Sequence, residues 1–266
     1  SYGATAVVER DVLYGTDRGC GDLDEFCGGS QELDVHRAVV DRAADDHGAD
    51  DHLRPVLVWI HGGGWAAGDR ATDVPENVLR QLDRGWDVVS VDYRMTPKVR
   101  FPVPLQDVKL AIRWVKVHAA SYGWDLHRLV VAGHSAGGNL AAMVAVTAGV
   151  PELEPDAAGA LARVDSSVTA AVSVNRVLAL GAGARRDPLS RLLVEDYVGC
   201  TSCHEVDEAS PGWWVDRGDA PLYLVQGRDD PVAPTVQAVQ LWRAATRAPP
   251  PRPVGPVGTG PPAGRA

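Results

Sequence analysis

Short apolar runs bounded by polar or glycine residues recur along this chain. Val56–Ile60, Asp87–Val91, Leu129–Ala132, Thr169–Val174 and Leu222–Val225 each carry this pattern. A run of this kind predicts a strand covered on both faces. Between them the apolar period changes. Leu105, Val108, Ala111, Ile112, Val115 and Ala119 fall at helical spacing and predict a helix over 105–120. Asp73 to Arg84 reads as another helix, with Asp73 as N-cap and Pro75 in its first turn. Further helices are expected over Asn139–Ala148 and in the stretch ending at Arg247. Near the start, Thr5–Leu13 and Glu32–Val35 are weaker strand signals. Residues 177–214 show no clean period and read as an insertion over the sheet. Strands alternating with helices imply right-handed crossovers and a mostly parallel, doubly wound α/β sheet with helices on both faces. The expected organisation is one domain over 1–247, with 177–214 as a cap-like insertion, followed by a tail over 248–266.

Length and composition fit that picture. At 266 residues, 45% hydrophobic and 23% charged, the chain can bury the core of one large domain. It has no apolar run of the roughly 20 residues that a membrane span needs. A net charge of −9 argues against a nucleic-acid partner, whose phosphates require clustered cations. The four cysteines form two local pairs, Cys20 with Cys27 and Cys200 with Cys203. Together with Ser1 in place of an initiator methionine, they lean towards two short-range disulfides in an exported protein. Cys200-Thr-Ser-Cys203-His204 also matches the c-type haem attachment pattern, but nothing nearby suggests a haem pocket. A zinc ribbon would need a second C-x-x-C knuckle.

Candidate chemistry sits just after three of the predicted strands. Gly133-His-Ser135-Ala-Gly137 is G-x-S-x-G between a strand and a helix, the turn that presents a nucleophilic serine. Ser135 is the candidate nucleophile, and the Ala136 amide at the helix start is one oxyanion donor. His61-Gly62-Gly63-Gly64-Trp65 follows Ile60, and the amides of Gly63 and Gly64 are expected to supply the other donors. His61 reads as a structural histidine that holds this loop. Trp65 either lines the substrate pocket or packs beneath the loop. His134 is expected to point away from the serine hydroxyl. Asp230, in Gly227-Arg-Asp-Asp-Pro-Val, is the candidate orienter of a base, preferred over Asp229. In parallel sheets ligands bind at the carboxyl ends of strands, where all three motifs fall.

These segments resemble the α/β-hydrolases of the hormone-sensitive-lipase and BD-FAE esterase type. HGGGW (61–65), VDYRMTP…FPVPLQDV (91–108), GHSAGG (133–138) and GRDDPVAP (227–234) carry the likeness, over roughly residues 30–245. The resemblance implies an eight-stranded α/β-hydrolase sheet and a Ser–Asp–His triad. It implies no cofactor and no metal. The implied partners are small-molecule carboxylic esters, often with short acyl, acetyl or feruloyl groups. A non-catalytic binding protein and an amidase or formamidase are the alternatives.

One expectation of the resemblance is not met. The family histidine lies beyond the helix after Asp230, and all eight histidines of this chain precede Asp230. His204, in the insertion, is a remote substitute. From Ala248 the chain carries seven prolines in nineteen residues and no apolar period. It therefore reads as a disordered tail, the C-terminal part of the fold being truncated or replaced by an out-of-frame sequence. Loss of the last strand would leave Leu222–Val225 as an apolar sheet edge.

Overall fold

The computed structural model describes residues 7–17, 29–38, 53–174, 179–180, 188–228 and 235–250. Seven strands form one sheet: β1 (Val7–Leu13), β2 (Glu32–Arg37), β3 (Arg54–Ile60), β4 (Asp87–Val91), β5 (Trp124–His134), β6 (Ala170–Val174) and β7 (Leu222–Val225). Their order is β1-β2-β4-β3-β5-β6-β7. The β1–β2 and β2–β4 pairs are antiparallel, and every other pair is parallel. The helices among the described residues are α1 (Glu76–Leu79), α2 (Val103–Tyr122), α3 (Ala136–Val146), α4 (Pro188–Val198), α5 (His204–Glu208), α6 (Pro211–Trp214) and α7 (Thr235–Thr246). This is the mostly parallel doubly wound sheet expected from the alternation, with seven strands among the described residues.

Register separates the two faces. Val58, Val131, Ala171 and Leu222 align across β3, β5, β6 and β7 on one face. That face packs with Ile112, Val115, Leu140 and Met143 of α2 and α3 in the main core. Leu241 of α7 joins it beside Leu222 and Leu224. Trp59, Ala132, Val172 and Tyr223 align on the opposite face. Val78 of α1 and the 3-10 turn at Leu82 cover this face near β3 and β4. At the far end, Tyr223 is 69% exposed. Strand β7 is thus the apolar margin of the described sheet, as expected for Leu222–Val225.

Several expectations need correction. Asp73 does not cap a helix over 73–84. The helix starts at Glu76 behind Pro75, and Gly85 in the left-handed region closes a separate 3-10 turn. The Asp73 carboxylate instead accepts the Asp69 amide at 2.9 Å. Strand β5 runs back to Trp124, because Gly123 ends α2 in a left-handed cap and turns the chain directly into the sheet. Helix α3 begins at Ala136, immediately after the serine, rather than at Asn139. Residues 188–214 are three helices, although their apolar spacing is too irregular to show it. Val194 and Tyr197 of α4 and Val206 of α5 reach the main core, while the apolar Leu189 and Leu192 stay exposed and blur the pattern. Of the tail expected over 248–266, residues 251–266 lie outside the described residues. Ala248 is buried, Arg217 Nε donates to its carbonyl at 3.0 Å, and the Arg217 amide donates to Pro249 O at 3.0 Å. Cys200 and Cys203 form the expected disulfide, whereas Cys20 and Cys27 lie outside the described residues.

Candidate active site

Strand β5 delivers Ser135 at the carboxyl edge of the sheet, and α3 starts on the next residue. The turn between them is sharp. Ser135 takes φ 55° and ψ −119°, a region that side chains other than glycine rarely occupy. Its amide donates to Val174 O at 2.9 Å, and its carbonyl accepts the Asn139 amide at 3.0 Å. Both flanking glycines are required by close backbone approach. A Cβ on Gly133 would lie 2.2 Å from Gly137 O. One on Gly137 would lie 2.3 Å from both Ile60 O and His61 O. The glycines therefore let α3 close onto β5 and onto the end of β3.

The same contact brings in the glycine loop after β3. A Cβ on Gly62 would sit 3.0 Å from His134 O and 3.3 Å from Ser135 Cβ, so this loop lies directly against the nucleophile turn. Gly63 and Gly64 take φ of +96° and +64°, and Trp65 follows at +61°. At Gly63 a Cβ would meet Ala67 O at 2.0 Å. Ala66 and Ala67 both donate to Gly63 O at 3.1 Å, which closes the turn. Among the described contacts, the amides of Gly63, Gly64 and Ala136 donate to no other backbone group. Unspent amides beside a strained serine are what an oxyanion requires.

His61 is 1% exposed, stacks on Tyr93 at 4.5 Å and places Nδ1 2.9 Å from Gly62 O. It holds the loop, as expected, and does not face Ser135 as a base. Trp65 packs beneath the loop. It is 1% exposed and its ring stacks on Tyr197 of α4 at 4.3 Å, which leaves it no surface to offer a substrate. Burial pushes the Tyr197 and Tyr93 phenols well up, so both remain neutral supports. Leu193 of α4 lies over Gly64, its Cδ2 2.8 Å from where a Cβ would stand. A cavity of about 520 Å³ opens beside this turn, lined by Trp59, Gly62, Gly63, Thr72, Asp73 and His134.

Asp230 and Asp229 lie outside the described residues; the structure sets Gly62, the residue before Gly63 and Gly64, against the turn that carries Ser135 and Ala136. Among the described residues no imidazole hydrogen-bonds to Ser135. His204 turns to Glu208, with Nε2 at 3.4 Å, and edges onto Trp213 at 5.1 Å. His118 stacks on Trp114, and His36 sits in β2 near Ser90 Oγ at 3.4 Å. Sequence reasoning did not assign roles to Asp92, Arg70, Tyr93 and Tyr197, which support the glycine loop. The available signal was position: Asp92 and Tyr93 follow β4 at the same edge of the sheet as the three motifs.

Comparisons with known proteins agree with this geometry. Esterase LipQ of Mycobacterium tuberculosis is 31% identical over 199 residues, covering 73% of this chain and 46% of that protein. Esterase LipC of the same organism is 33% identical over 202 residues, covering 73% and 49%. The chain thus spans about half the length of the curated relatives it matches. Apo esterase 2 of Thermogutta terrifontis superposes with a TM-score of 0.66 at 26% identity, covering 94% of this chain and 81% of that one. Residues 46–244 match the BD-FAE family. With its α/β-hydrolase sheet and glycine loop set against a serine turn, the chain belongs to the BD-FAE family.

Proposed function

We propose that this chain is a carboxylic ester hydrolase module that forms an acyl-enzyme on Ser135. The observation that carries the reading is the contact of Gly62 with the Ser135 turn, which brings the glycine loop, with its unspent Gly63 and Gly64 amides, against that turn. An ester carbonyl seated on these amides would place its carbon over Ser135 Oγ. As Oγ attacks, its proton passes to a base and the carbonyl oxygen becomes an oxyanion held by the amides. Collapse then expels the alcohol, and water repeats the sequence on the acyl-serine. Each amide donor in such a cradle is worth about 3 kcal/mol at the transition state. The relatives LipQ and LipC, both named esterases, support the substrate class.

Within these 266 residues no histidine follows Asp230, so the test supplies a base in the buffer. Loss of the histidine in a serine hydrolase lowers turnover by roughly a million-fold. The test uses a fluorophosphonate probe and p-nitrophenyl acetate, with and without imidazole in the buffer and with Ser135→Ala as background. Slow labelling at Ser135 and near-background hydrolysis are expected; added imidazole, which also hydrolyses p-nitrophenyl acetate by itself, should raise hydrolysis in the parent above the rise seen with the variant, and should raise labelling in the parent alone. Folded protein that stays unlabelled at Ser135 under every condition would favour a ligand-binding role instead. The closed Cys200–Cys203 pair supports an oxidising compartment. Titration of four reactive thiols in the native protein would rule that out.

A further inference from the structure

The loop that carries the Gly63 and Gly64 amides runs from His61 to Arg70; one carboxylate, Asp92, hydrogen-bonds its far end and lies 3.7 Å from the imidazole at its near end. We propose that Asp92 is the positioning residue of the oxyanion cradle, an assignment that rests on Ser135 being the acyl acceptor. At the far end of the loop, Asp92 Oδ1 accepts the Arg70 amide at 2.7 Å, and Oδ2 accepts from the Arg70 guanidinium. At the near end, Asp92 Oδ1 faces His61 Nε2 at 3.7 Å. That imidazole nitrogen is buried and has no hydrogen-bond partner, so Asp92 is the group it meets. Asp92 is itself held from behind. Ser30 Oγ donates to its carboxylate at 3.0 Å, and Tyr14 OH donates to its carbonyl at 2.7 Å.

The loop needs such a grip because its own conformation supplies little. Gly63, Gly64, Trp65 and Gly68 all have positive φ, so no helix or strand ladder can run through it. Between its ends the loop is tied by the turn bonds to Gly63 O and by the Thr96 amide donating to Trp65 O at 2.9 Å. Tyr93 OH adds contacts at 3.3 Å to His61 O and Gly62 O. Tyr93 and Thr96 belong to the segment that Asp92 begins, so the strand end at β4 is the frame on which the cradle is mounted. Arg70 completes the lock from the other side. Its guanidinium also meets Asp34 at 3.0 Å, Glu32 at 3.2 Å and Asp11, which fixes the loop end to β1 and β2. Displacement of a catalytic group by about 1 Å costs about a hundredfold in rate, so a clamp outside the reacting atoms can control acylation.

The test compares Asp92→Asn and Arg70→Gln with the parent in two measurements. One is amide hydrogen exchange resolved by peptide. The other is the concentration dependence of fluorophosphonate labelling. We expect both variants to exchange faster across residues 61–70 while the α2 and α3 peptides stay protected. The maximal labelling rate should fall about a hundredfold, with the half-saturating probe concentration unchanged. The double variant should be no slower than either single one, because both residues act through one clamp. Unchanged exchange at 61–70 in folded Asp92→Asn would overturn the proposal, as would exchange that rises uniformly over the whole chain. If the parent is never labelled, the esterase reading fails, and the exchange measurement alone decides the clamp.

Discussion

At the scale of single residues, the site is built from backbone that only particular side chains allow. Gly63 combines φ +96° with a Cβ position 2.0 Å from Ala67 O, so no other residue fits without moving the loop. Gly63→Ala is expected to cost about 1–3 kcal/mol of stability. It should also slow Ser135 labelling about a hundredfold, since the amides move with the loop. Gly85 has a similar φ, +79°, but open space around its Cβ position. Gly85→Ala should therefore cost about 1 kcal/mol and leave labelling unchanged. Urea unfolding and probe kinetics on the two variants separate backbone strain from damage to the cradle. Equal labelling losses in both would show that the loop is not specifically required.

At the scale of elements, α4 acts as a roof beam over the glycine loop. Tyr197 stacks on Trp65 at 4.3 Å, meets Phe101 edge-on at 5.9 Å and accepts the Phe101 amide on its carbonyl at 2.8 Å. The Tyr197 hydroxyl is buried and has no hydrogen-bond partner, which carries a desolvation cost of about 1–3 kcal/mol. Tyr197→Phe keeps the ring and deletes that cost, so its melting temperature should equal or exceed that of the parent. Tyr197→Ala deletes the stack and opens a cavity, for which about 3–5 kcal/mol is typical of a large aromatic. Thermal unfolding measures both. A Phe variant much less stable than the parent would mean that the hydroxyl has a partner. Helix α5 ties the same layer to the nucleophile helix, where Asn139 Nδ2 donates to Ala209 O at 3.3 Å.

At the scale of the molecule, stability rests partly on charges that the fold has buried. Lys109 is fully buried on α2, and its Nζ reaches Glu154 at 2.9 Å and Thr147 O at 2.7 Å. Arg113 meets the other Glu154 oxygen at 2.6 Å, and Ser166 donates to both. Burial alone would raise the Glu154 pKa, but Lys109, Ser166 and Arg113 outweigh it and hold the carboxyl below its ordinary 4.5. Asp165 behaves alike: burial raises it, while Lys116 and Ser167 bring it down to about 2. Both groups are lower in the folded chain than in the unfolded one. Their contribution is thus complete above about pH 5 and disappears as pH falls through the folded values. The urea midpoint should decline between about pH 5 and pH 2, and Glu154→Gln should flatten part of that decline. At pH 7 the same variant removes the carboxylate that Lys109 and Arg113 share, at a cost of about 3–5 kcal/mol. A pH-independent midpoint in the parent would contradict this account.

The sequence by itself determined what repeats or is punctuated. Val56–Ile60 is legible as a strand because burial on both faces leaves an unbroken apolar run, and Leu222–Val225 carries the same kind of run although Tyr223 and Val225 are exposed. Gly133, Gly137 and Gly62 were legible because close backbone contact admits no side chain. Ser135 was legible because its turn has a fixed spelling. Only the tertiary structure decided which polar residues hold the loop. Arg70 and His61 lie 22 and 31 positions from Asp92 in the sequence, and the strand order brings them into one cluster. The same holds for Trp65 on Tyr197, whose partner comes from residues with no readable period. Local pattern records which face a residue buries, whereas pairing between distant charges and rings leaves no periodic trace and is fixed when β4 enters the sheet between β2 and β3.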